Sequence, residues 1–189
     1  MLTEALGTEV DDVVALVGGG GKTTTMFRLA REIAEKGEHA LTTTTRIFAA
    51  QISLAPAHVV ANDATCEGVW AALGIYRQLL VIVGADVFGK PLDAEHVHRP
   101  ELVSVLSGVP LGKPVTPEIV SRVLAHPKGG CENVPAGARV VALINKVETL
   151  ADREPARETA ERLLREPAIE SVVLATARGD DPVLEVCRR

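Results

Sequence analysis

The chain has 189 residues, 47% of them hydrophobic and 24% charged, with 25 acidic against 20 basic side chains and a net charge of −5. That composition excludes a disordered chain and leaves no basic surplus for a nucleic-acid backbone or an anionic membrane surface. Three Phe, one Trp and one Tyr imply an aliphatic core and argue against a fold that works by stacking bases on aromatic rings.

Met1-Leu2-Thr3-Glu4 has neither the cationic start nor the apolar run of a signal peptide, and no apolar run reaches the length of a membrane span. Cys66, Cys131 and Cys187 are widely spaced and form no CxxC pair. Disulfide scaffolds and thiolate zinc sites are therefore poor readings, and a cytoplasmic location is expected. Residues 13–17 form a continuous apolar run, the pattern of a strand buried on both faces of a parallel sheet. A helix is expected over residues 23–36, with Met26, Leu29, Ala30 and Ile33 at helical spacing and Gly37 as its C-terminal cap. Residues 40–42 and 58–60 read as the next strands, 65–73 as a short helix and 79–83 as a further strong strand.

Residues 84–136 are rich in proline and loop signals, like an insertion, with short helices expected over 100–106 and from Thr116. Residues 139–144 read as a strand. Residues 153–165 read as an amphipathic helix with Ala156, Ala160, Leu163 and Leu164 turned inward. Glu158–Arg162 and Glu161–Arg165 are spaced as i,i+4 pairs on its wet face, and residues 171–175 read as the last strand. Such alternation predicts an α/β chain: one domain over residues 1–189, with a three-layer P-loop NTPase-like fold and a mostly parallel sheet.

The most specific motif is Val17-Gly18-Gly19-Gly20-Gly21-Lys22-Thr23-Thr24 between the first strand and the first long helix. That context makes it a phosphate-binding loop. Gly18, Gly19, Gly20 and Gly21 let successive N–H groups aim at one oxyanion, and the helix adds its free N–H groups and positive dipole end. Lys22 would reach the β- and γ-phosphates of ATP or GTP and neutralise transferring charge. Thr23 would hold Mg²⁺, and Thr24 completes the cradle. The standard spacing asks for glycine where Leu16 stands. The deviant x-K-G-G-x-G-K-T form fits better, with Val17 in place of its signature lysine.

Asn145-Lys146-Val147-Glu148 directly follows a strand. N-K-x-D in that place reads guanine, its Asp accepting from the ring N–H and the exocyclic amine. Here Glu148 replaces the Asp, and the same four residues also suit a plain polar turn. Thr43, Thr44, Thr45 and Arg46 follow the second strand, where ligands of α/β folds collect. They could contact phosphate or a switch position, or simply cap a helix. Asp86 is a strand-end carboxylate that could serve the metal from its outer shell. His96 and His98 invite a metal reading, but Asp93 to His98 looks helical or turn-like, where i and i+2 point apart; a structural or partner-contact role is favoured.

Leu16 to Thr24, Leu41 to Ile47, Gly89-Lys90-Pro91-Leu92-Asp93, His96-Val97-His98-Arg99-Pro100-Glu101, Pro110-Leu111-Gly112, His126-Pro127 and Asn145-Lys146 together resemble the YqeC-type selenium-dependent hydroxylase accessory proteins. The resemblance implies a phosphate-loop protein that binds ATP or GTP with Mg²⁺. It also implies a protein partner, a hydroxylase or a cofactor-maturation factor, and a part in maturing selenium-dependent molybdenum hydroxylases. The sequence departs from that family in lacking its internal Glu-Ala-Asp-Gly segment, the expected second anchor for magnesium. Either Asp86 substitutes as an outer-shell ligand, or magnesium is held poorly and hydrolysis is weak or absent. The alternatives are a module that binds nucleotide or anion without hydrolysis and, less favoured, a small-molecule kinase.

Overall fold

The computed structural model of the protein describes residues 1–18, 21–43, 47, 49–61, 63–82, 103–107 and 138–189. They fall into two compact units, residues 1–24 with 99–189 and residues 25–98. The chain is α/β. Among the described residues no helix is long and apolar enough to cross a membrane.

The first unit is built on a five-stranded sheet. Its strands are β1 (Val14–Gly18), β5 (Val103–Ser107), β6 (Val140–Asn145), β7 (Ser171–Ala175) and β8 (Val183–Arg188), side by side in that order. The three pairings from β1 to β7 are parallel, and β8 closes the edge antiparallel to β7. β6 shows why the sheet forms: Val140, Val141, Ala142, Leu143 and Ile144 are all buried. A strand with both faces covered needs such an unbroken apolar run. Val140, Ala142 and Ile144 pack with Ala156, Ala160 and Leu163 of helix α5 (Leu150–Leu163), and with Ile169, Val172 and Leu174.

Capping fixes where α5 begins. Thr149 Oγ1 accepts the Asp152 N–H at 3.3 Å, and Asp152 Oδ2 accepts the Thr149 N–H at 2.9 Å. This reciprocal box starts the helix three residues before the expected position and carries Pro155 into the helix interior. The expected Glu158–Arg162 pair is present. Glu161 and Arg165 form no ion pair among the described residues; Arg157 instead reaches across to Glu185 of β8 at 2.7 Å.

Three elements of this unit depart from the sequence reading. A helix was expected over residues 100–106, yet Val103–Ser107 is a strand, pairing Val14 with Val103 and Gly18 with Ser107. The gap between β1 and β6 needs a strand, and an apolar, β-branched segment fills it against its short helical tendency. β8 follows the strand expected to be last. Short helix α1 (Leu2–Ala5) also escaped the sequence reading. It buries Leu2 and Ala5 and packs against β8. Asp12, in the loop before β1, accepts from Arg139 at 3.0 Å.

The second unit holds a wholly parallel sheet of β2 (Ala40–Thr43), β4 (Gln78–Ile82) and β3 (His58–Val60), with β4 central. Phe27 of α2 (Lys22–Glu35) packs with Ile47, Ala55, Leu80 and Ile82. α2 ends as the sequence predicts. Gly37 takes φ +90°, and the Glu38 N–H closes back on the Ile33 carbonyl at 3.2 Å. Helices α3 (Ala49–Ile52) and α4 (Cys66–Tyr76) complete this unit, with Thr65 capping α4 through its hydroxyl.

Candidate functional site

Parallel pairing brings the carboxyl ends of β1, β5, β6 and β7 to one edge of the first unit. Ligands of α/β folds gather at such an edge. β1 ends in Gly18, Gly21 follows at φ +80°, and Lys22 is the first residue of α2. A side chain at Gly21 would be strained there, so glycine meets a backbone need at this position. Lys22, Thr23 and Thr24 are partly buried in the first turn of α2. The strand–loop–helix context that gives the motif its meaning is therefore present; Gly19 and Gly20 lie outside the described residues.

Two strand spacings separate β1 from β6, roughly 10 Å in a hydrogen-bonded sheet. At that distance along the edge stand Asn145, ending β6, and the loop Lys146 to Glu148. Lys146 and Glu148 are exposed, and Lys146 has φ +71°, a left-handed conformation uncommon for its type. Asn145 is partly buried. Its Oδ1 accepts the backbone N–H of Lys146 and that of Ala177, each at 2.9 Å. The Val147 N–H donates to the Ala175 carbonyl at 3.2 Å, so the loops after β6 and β7 are joined twice.

Sequence reasoning missed that second loop. Residues 176–182 close on themselves through Thr176 N–H to Pro182 O and Gly179 N–H to Thr176 O, both 2.8 Å. The signal was Gly179-Asp180-Asp181-Pro182 just past a strand, legible as a turn but not as a neighbour of Asn145.

Thr43 ends β2 in the second unit. Its neighbour Thr42 is buried, and the Thr42 hydroxyl donates to the Leu79 carbonyl at 3.2 Å, a structural use. Thr44, Thr45 and Arg46, Asp86, and His96 with His98 all lie outside the described residues, as does Cys131. Cys66 is exposed at the start of α4. Cys187 is partly buried on β8, where burial foremost, and then the Glu185 carboxylate, push its thiol pKa up. A thiol so placed is a poor nucleophile.

The family model described as YqeC protein matches residues 14–72, from β1 through most of α4. The resemblance drawn from the motifs holds over that segment. No curated protein and no solved structure matches the chain.

Proposed function

We propose, from the YqeC-type character of residues 14–72, that the protein binds ATP or GTP with Mg²⁺ and acts as an accessory protein in maturing a selenium-dependent molybdenum hydroxylase. One observation carries the nucleotide reading. A Gly-rich loop with Lys22 and Thr23 opens a helix directly after a parallel strand, and Gly21 takes the positive φ that such a loop needs. In this reading Gly18 to Gly21 and the first N–H groups of α2 hold the phosphates, and Lys22 stands against their charge. The Thr23 hydroxyl and the phosphate oxygens are hard donors that suit Mg²⁺. Asp86 would hold the ion's outer shell. The ion would neutralise charge on the phosphates when bound. Asn145, Lys146 and Glu148 frame the base, and Thr43 to Arg46 are further phosphate or switch contacts. Catalysis here is positioning and electrostatics, and hydrolysis is weak.

Val17 favours a second reading, in which the protein is an interaction module that binds nucleotide or an anion without hydrolysing it and engages a protein partner. The deviant loop class carries lysine at that position, and valine supplies no charge. Calorimetry of ATP and GTP with and without Mg²⁺, followed by phosphate release, separates the two. Binding that Lys22→Ala abolishes, with slow release, is expected. Binding without release supports the second reading. A wild-type chain that binds neither nucleotide overturns both.

A further inference from the structure

Asn145 is used in a way that its place in an N-K-x-E motif does not require. Its Oδ1 faces two backbone donors, the N–H groups of Lys146 and Ala177. Two donors fix the carboxamide's orientation, because only the oxygen can accept. The Nδ2 is thereby the end turned away, and it donates to none of the described residues. Lys146, which donates the first of these bonds, has φ +71°. Left-handed backbone at a lysine persists only where its surroundings over-determine it, and such strain collects at ligand sites. The partner loop is also pre-shaped: a Cβ on Gly179 would come within 2.6 Å of Thr176 Oγ1.

We infer that Asn145 is a positioning residue that clamps the loops after β6 and β7 into one preformed platform for the nucleotide base, with residues 176–182 as its second half. This rests on the nucleotide reading above. The chemistry of the platform follows from the bonds already made. The Ala177 N–H is spent on Asn145, so it is not offered to a carbonyl of the base. The platform instead presents the exposed Glu148 carboxylate as an acceptor. Any preference for guanine, whose ring N–H and amine both donate, then falls to Glu148.

The test compares GTP with inorganic tripolyphosphate, which has the phosphates and no base, by calorimetry on the full chain. Asn145→Ala leaves two amides without their acceptor, and weakens GTP binding about tenfold or more while tripolyphosphate binding is unchanged. Hydrogen exchange at the Lys146 and Ala177 amides quickens in Asn145→Ala and stays slow in Asn145→Asp, which keeps the accepting oxygen. Should Asn145→Ala not fold, Asn145→Ser replaces it, because the shorter side chain cannot reach both amides. Equal loss of both ligands, loss of neither, or unchanged exchange at both amides overturns the inference. A wild-type chain that binds neither ligand overturns the nucleotide reading and this inference with it, whereas binding of both ligands, unaffected by the variants, overturns this inference alone.

Discussion

Thr25 is fully buried on α2, and among the described residues its Oγ1 has no hydrogen-bond partner. An orphaned hydroxyl of this kind costs about 1–3 kcal/mol. Thr25→Val keeps the branched shape and removes the hydroxyl, so it is expected to raise stability by about 1 kcal/mol in denaturant unfolding. A loss of stability would mean that the hydroxyl has a partner. The cysteines give a second prediction at this scale. Cys66 is exposed, while burial and Glu185 keep the Cys187 thiol protonated. At neutral pH iodoacetamide should therefore modify Cys66 well before Cys187, read by peptide mapping. The opposite order would contradict the environment described for Cys187.

Elements turn on their ends, and α5 has the clearest one. The Thr149 hydroxyl, and then its backbone N–H, donate to Asp152 and hold its carboxyl below the ordinary carboxylate range. A depressed pKa in the folded state adds stability that is present at neutral pH and lost as pH falls through that lowered value. Asp152→Asn should thus lower the Tm at neutral pH. The difference from wild type should close as the solution is acidified past the ordinary carboxylate range, and a pH-independent difference would refute the box as its cause. The same scale shows where sequence patterns were ambiguous. Val183 to Arg188 alternates weakly and sits near no strong turn signal except Gly179 to Pro182, so β8 passes for a tail. Residues 103–107 are too short for periodicity to decide between helix and strand, and their pairing with β1 and β6 decides it.

For the molecule as a whole, ligand binding and stability are linked. If the phosphate loop binds nucleotide as proposed, GTP or ATP at about 100 times its Kd stabilises the fold by about 2.7 kcal/mol. A thermal scan should show the corresponding rise in Tm for wild type and none for Lys22→Ala. An equal rise in both would place the nucleotide elsewhere.

Local chemistry made much of this protein legible in the sequence. Unbroken apolar runs announced β1, β4 and β6; β6 is buried throughout and β4 nearly so, as strands covered on both faces require, whereas Val14, Ala15 and Leu16 of β1 are only half-buried. Glycine marked Gly21 and Gly37 because only glycine takes positive φ freely, and both positions require it. The Gly18 to Thr24 motif stood out for the same reason: glycines, a lysine and hydroxyls follow one another along one stretch of chain. The family match over residues 14–72 falls on that stretch. The tertiary structure alone decided that residues 103–107 lie between β1 and β6, and that Asn145 meets Ala177, 32 residues away. Hydrogen bonds between distant segments are set by which strands become neighbours, and no periodicity in a single strand encodes its neighbour.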